Sequence, residues 1–162
     1  MTMRYRERVQ EIAARLAALP DAGHVHARSR IGPDWAKYLG HFRVQGAGPG
    51  GKDLVCGWTV ARRRARLGSG QGRTSTHWVE TYTLIRVYGI HDESESEFPF
   101  QESLDQAVAH FRDEPGLSFG TIPGELGILE IEERMIGPTA CHVAECELDV
   151  VMYFNDLPGG GG

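Results

Sequence analysis

Apolar residues recur along this chain at two periods, and the change of period divides it into elements. Tyr5, Val9, Ile12, Leu16 and Leu19 follow at steps of four, three, four and three, which predicts an amphipathic helix over residues 1–19. Pro20-Asp21-Ala22-Gly23 ends that helix, because proline has no N–H to continue the ladder. His24 to Ile31 reads as a short strand, and Leu54 to Val60 as another, set inside a Gly-rich excursion at 46–75. From Thr76 to Ile90 the period is two, the clearest strand signal in the chain. Phe100, Leu104, Ala107, Val108 and Phe111 return to helical spacing and predict a second helix over 97–113. Ser96 is its expected N-cap, Pro99 its third residue, and Pro115-Gly116 its stop. Two strands follow, Gly127 to Ile136 and Thr139 to Phe154, turning at Gly137-Pro138. In the last strand Ala140, Ala144, Cys146, Leu148, Val150, Met152 and Phe154 share a face opposite Glu145, Glu147 and Asp149.

This order predicts an α+β fold: a mixed or antiparallel sheet of about four to five strands, with two helices packed on one face, plus the Gly-rich excursion. One domain is expected over 1–157, with 46–75 a loop or arm around its strand and a flexible glycine tail at 158–162.

The strand from Thr76 to Ile90 raises a question of cover. One face carries Val79, Thr81, Thr83, Ile85 and Val87; the other carries Trp78, Glu80, Tyr82, Leu84, Arg86 and Tyr88. Neither is plainly hydrophilic, and fifteen residues at about 3.4 Å each span about 50 Å. Helices can cover one face, and the other then calls for a loop or another subunit. Aromatic residues mixed with arginine are typical of interface centres, so Trp78, Tyr82, Arg86 and Tyr88 form the candidate subunit interface.

Composition narrows the class without naming a reaction. The 162 residues are 41% hydrophobic and 24% charged, with a net charge of −5, so the molecule as a whole is not built to coat nucleic acid. No stretch of about 18 apolar residues exists, so no membrane span is expected. The segment from Met1 to Arg8 lacks an apolar signal region. Three cysteines, Cys56, Cys141 and Cys146, argue against a disulfide framework.

Four groups of residues invite a chemical reading. Gly46 to Lys52 has the G-x-x-x-x-G-K spacing of a phosphate-binding loop, but Asp53 stands where a magnesium-binding hydroxyl belongs, and a strand follows instead of a helix. His24 and His26 share a strand face, yet no second tight ligand pair accompanies them; the acids after His91 suit the positive end of the coming helix. Cys141 and His142 are neighbours in a strand, so their side chains diverge. Arg62, Arg63, Arg64 and Arg66 form the strongest charge cluster, a basic arm that reads as solvated, as facing an acidic subunit surface, or as a contact to nucleic acid phosphate. No cofactor, metal or catalytic residue is assigned, and the reading is of a structural protein, not an enzyme.

Taken in order, "LAALPDAGHVHARSRI", "GWTVARRR", "RTSTHWVETYTLIRVYGIHDESESEFPFQESLDQAVAHFRDEPGL" and "RMIGPTACHVAECELDVVMYF" resemble the tail terminator, or tail-completion, proteins of long-tailed bacteriophages. The resemblance covers about four fifths of the chain, outside the Gly-rich segment and the glycine tail, and consists of packing patterns. It implies an α+β subunit that forms a homo-oligomeric, six-membered ring on the head-proximal end of the tail tube, stops tube polymerisation and offers a docking surface to the head connector. The implied partners are the tail tube protein and a head-completion or connector protein. A passing contact with DNA in the lumen is part of this expectation, and Arg62, Arg63, Arg64 and Arg66 are the candidate lumen or partner-contacting arm, assigned from their charge and not from the resemblance. The implied location is the host cytoplasm during assembly and then the virion. Two alternatives stand beside it: a head-completion or neck protein of the same particle, and a small nucleotide- or metal-binding enzyme.

Overall fold

A computed structural model describes residues 3–30, 34–68 and 77–153. The expected glycine tail at 158–162, the ends of two expected strands at Ile31 and Phe154, the start of a third at Thr76, and most of the second glycine cluster, at 69–72, lie outside the described residues.

The class is α+β, and it holds more elements than the sequence pattern predicts. In chain order they are α1 (Tyr5–Ala17), β1 (His24–His26), α2 (Trp35–Gly40), β2 (Arg43–Val44), β3 (Leu54–Leu67), β4 (His77–Gly89), α3 (Glu97–Asp113), β5 (Gly116–Leu117), β6 (Gly120–Thr121), β7 (Gly127–Ile136) and β8 (Thr139–Tyr153). The sheet is mixed and eight-stranded, ordered β1-β3-β4-β8-β6-β5, with β2 also paired to β3 and β7 also paired to β8. Among the described residues β1 alone runs parallel to its neighbour, and the other pairings are antiparallel. The expected four to five strands become eight because β2, β5 and β6, each two residues long, were not anticipated, whereas the strand expected from His24 is present but only three residues long. A period of two needs at least four residues to register.

The two long helices cover one face. Val9, Ile12, Ala13 and Leu16 of α1 and Phe100, Leu104, Ala107 and Phe111 of α3 are buried, as their spacing requires. They close over Trp58 and Val60 of β3, Tyr82 and Leu84 of β4, and Cys146, Leu148 and Val150 of β8. The opposite face has a smaller core at one end, where Leu39 and Phe42, in and just after α2, meet Val87, Cys141 and Val143. Asp34 caps α2 by accepting the Lys37 N–H at 2.9 Å. At 24–26 a parallel strand can lie close to β3 because Gly57 has no side chain; a Cβ there would sit 2.3 Å from the His24 carbonyl oxygen. The β7–β8 hairpin turns at Gly137, whose φ of +60° favours glycine.

Two expectations about local structure are corrected. Ser96 precedes α3 as expected, but its hydroxyl makes no cap bond; it accepts the His91 N–H at 2.8 Å instead. The run from Arg62 to Arg66 is not an arm on a Gly-rich loop. It is the second half of β3, paired with β4 out to Leu67↔Trp78. Side chains in this run find partners on both faces of the hairpin, Arg62 on one and Arg63 and Arg64 on the other.

Candidate assembly surface

The proposed interface residues are placed inside the chain. Tyr82 and Arg86 are fully buried, Tyr88 is 9% exposed, and Trp78 is half-buried against the core. The face they share is the one that α1 and α3 cover, so it needs no second subunit; this corrects the expected interface. The physical reason is that both charged residues on this face have internal partners. Glu80 accepts hydrogen bonds from Arg8 Nε at 3.1 Å and Nη2 at 2.8 Å, from Arg62 Nη1 at 2.7 Å, and from the Tyr82 hydroxyl. Burial pushes the Glu80 carboxyl up, but the bonds from Tyr82, Arg8 and Arg62 outweigh it and hold the group below its ordinary range.

Among the described residues Arg86 has no carboxylate within ion-pair distance. Its guanidinium donates to the carbonyls of Asp21 and Ala22, both at 2.7 Å, and to the Ser103 hydroxyl at 3.1 Å. It lies 5.3 Å from the Trp58 ring centroid and 5.4 Å from that of Tyr88. It therefore ties the turn after α1, the middle of α3 and the sheet to one point. Burial lowers its pKa.

A bulge in β3 between Arg62 and Arg64 puts Arg63 and Arg64 on one face and leaves Arg62 on the other. Arg62 points to Glu80, with its guanidinium 4.9 Å above the Tyr5 ring. Arg63 and Arg64 both reach across β4 on the other face, to Glu145 at 2.6 Å and Glu147 at 3.1 Å. Arg66 is exposed beyond them. Arg63 and Arg64 share one open groove with Leu129 and Glu130 of β7, so the sheet curls toward that face. Glu145 and Glu147 also line the groove, and on the same face of β4 Thr81 donates to Asp149.

β7 was legible as a strand, but its exposure was not. It pairs with β8 alone, and among the described residues its other edge has no partner. Ile128, Leu129, Ile131 and Met135 on this strand are exposed, Leu129 and Met135 by 57% and 62%. A bulge between Ile128 and Glu130 breaks its alternation. The sequence signal was present in Gly-Ile-Leu-Glu-Ile-Glu-Glu-Arg-Met-Ile, where apolar residues fail to keep to one parity.

The chemical candidates are bound up in structure. Gly46 donates to Asp53 at 3.3 Å, Gly48 to the Lys52 carbonyl at 2.7 Å and Gly51 to Gly48 at 3.1 Å, so these N–H groups serve the loop itself. The loop leads into β3 and not into a helix. Lys52→Ala is expected to change stability by no more than about 0.5 kcal/mol. A thermal melt with and without ATP-magnesium checks it, and an ATP-dependent shift lost in the variant would restore the phosphate reading.

His24 and His26 each place Nε2 at 2.8 Å from a carbonyl oxygen, of Arg43 and of His41. Among the described residues no group of three or more His, Cys, Asp or Glu side chains has the arrangement to hold a metal ion. All three cysteines are buried; burial pushes the Cys141 thiol up to about 11 and, with the charge of Glu145, the Cys146 thiol up to about 12. Cys141 and His142 do diverge, Cys141 into the smaller core and His142 onto the Phe100 ring, 5.0 Å between centroids.

His142 has a second neighbour that sequence reasoning did not find. Its Nε2 lies 3.1 Å from the Ser96 hydroxyl, and its Nδ1 lies 3.9 Å from Glu133. A serine, a histidine and a carboxylate in that order suggest an activated nucleophile. Here Ser96 and His142 are each 4% exposed, and the serine oxygen is occupied by the His91 N–H. The Ser96–His142 contact thus anchors the start of α3 to β8, with Glu133, 73% exposed, at its rim. Ser96→Ala is expected to cost about 1–2 kcal/mol through the orphaned His142 and His91 groups. Ester hydrolysis by the parent above that of the variant would contradict this structural role.

No protein family model and no curated protein matches the chain. Among the described residues no helix is long and apolar enough to cross a membrane.

Proposed function

We propose that this chain is a structural subunit of a phage particle, a tail terminator that assembles into a ring, caps the head-proximal end of the tail tube and offers the joining surface to the head. The observation that carries the assembly part of this reading is the free edge of β7. A ten-residue edge strand with four exposed large apolar side chains invites pairing with another chain. Monomeric proteins blunt such edges with bulges, inward charges or cover, and this one has a bulge but no cover among the described residues. The interior tells in the same direction. The polar groups that resemble catalytic sets are buried and partnered, as expected of side chains that hold a scaffold. The tail-terminator assignment itself rests on the sequence resemblance.

The test adds the purified chain to polymerising tail tube protein and follows tube length by electron microscopy. Tubes that stop growing and carry extra density at one end support the reading. Tubes that grow as before, with the chain binding portal or connector protein instead, move it to the neck of the particle.

A further inference from the structure

β7 is not the sheet's only open edge. β1 and β2 cover β3 only over residues 54–59, and the Tyr5 hydroxyl takes the Arg62 N–H at 3.2 Å. From Arg63 to Leu67 the outer edge of β3 has no backbone partner among the described residues. The two edges lie on opposite sides of the sheet, and their charges are opposite. The β3 end carries Arg62, Arg63, Arg64 and Arg66, whereas β7 carries Glu130, Glu132 and Glu133 against the single Arg134.

We propose that β7 of one copy pairs with the β3 edge of the next, so that the sheet continues from subunit to subunit. The occupant of the β7 edge is thus a second copy of this chain, entering by a different surface. Two features select this contact. Pairing β7 with another β7 would set three carboxylates against three, and like charges opposite one another in a sheet are destabilising. The arginine edge supplies the missing cations, and Ala65 and exposed Leu67 offer apolar neighbours to Ile131 and Met135. Arg63 and Arg64 now reach back to Glu145 and Glu147, but their side chains are about 60% exposed, and such pairs hold weakly enough to exchange partners. A contact that uses two different surfaces is heterologous; it propagates to a closed ring or to a filament and cannot stop at a dimer. The inference rests on the assembly reading above, and supplies its contact.

The experiment uses the full chain and two charge-reversal variants. One is Arg63→Glu/Arg64→Glu/Arg66→Glu, which makes both edges acidic. The other is Glu130→Arg/Glu132→Arg/Glu133→Arg, which makes both basic and changes only side chains at the surface of the sheet's edge. Circular dichroism verifies folding, and sedimentation velocity reads the assembly. The parent is expected to form species larger than a dimer that dissociate as salt rises. Each variant alone is expected to associate at least about tenfold more weakly. An equimolar mixture should recover the parent's species, because every acidic edge then finds a basic one. If the arginine variant fails to fold, the glutamate variant alone still decides: folded and associating like the parent, it overturns the proposal. A parent that stops at a dimer, a parent that stays monomeric, or a mixture that stays dissociated overturns it too. None of these three bears on whether the chain caps tubes, which the tube-length assay reads separately.

Discussion

Arg86→Ala is expected to lower the stability of the domain by about 3–5 kcal/mol, a large share of the 5–15 kcal/mol typical of a domain. The carbonyl oxygens of Asp21 and Ala22 and the Ser103 hydroxyl all lose a charged donor, and the Ala22 and Ser103 groups lose it in buried surroundings. Each orphaned buried group costs about 1–3 kcal/mol. The stacking of the guanidinium between Trp58 and Tyr88 goes as well, and leaves a void beside two large rings. Arg86→Lys separates charge from geometry. A lysine keeps the cation but has no planar fork to reach two carbonyls and a hydroxyl at once, so it should recover only part of the loss. Urea titration followed by circular dichroism gives the free energies, and Trp58 fluorescence reports the core directly. A loss below about 1 kcal/mol for the alanine variant would show that the turn after α1 is held by something other than Arg86.

That arginine also shows where sequence reading reaches its limit. The alternation from Trp78 to Tyr88 was readable and correct as a strand face, as were the stripes of α1 and α3. Which body covers the face was not readable, because Glu80 and Arg86 look like interface residues until their partners are known. Those partners, Arg8 and Ser103, lie 72 and 17 positions away. Periodicity encodes a side chain's direction but not the object it meets. The face assigned to a second subunit is the domain's own core, so changing Tyr82 and Tyr88 together to serine is now expected to unfold the chain and not merely to dissociate it. The bulge at Arg63 was hidden for a related reason. One extra residue sends Arg63 and Arg64 to the same face, which no strict period of two anticipates. The short pieces α2 and β2 escaped because they owe their form to close contact with β3 and its neighbours, such as Phe42 against Gly57, rather than to any pattern of their own.

The most demanding test of this account concerns Glu80. Its carboxylate is 1% exposed and joins α1, through Arg8, to the end of the β3–β4 hairpin, through Arg62 and Tyr82. Glu80→Ala is expected to cost about 3–5 kcal/mol, because Arg8 stays buried without its carboxylate and keeps the Met3 carbonyl, at 2.6 Å. Replacing the pair should be far milder. In Arg8→Met/Glu80→Met both charges leave the interior together, and an apolar pair of similar volume is often neutral or better. The double variant should therefore be more stable than Glu80→Ala, a sign that no sum of independent losses can give. Acid supplies a second signature. The folded Glu80 pKa lies below its unfolded value, so its contribution is complete above about pH 4.3 and fades as the pH falls through the folded value. The stability gap between the parent and Glu80→Ala should then be constant near neutrality and narrow on acidification below that point. Urea midpoints measured for both proteins from neutral to acid pH read the gap directly. A gap that stays constant into the acid range, or a double variant no better than Glu80→Ala, would remove the buried ion cluster from the account of what holds α1 to the sheet.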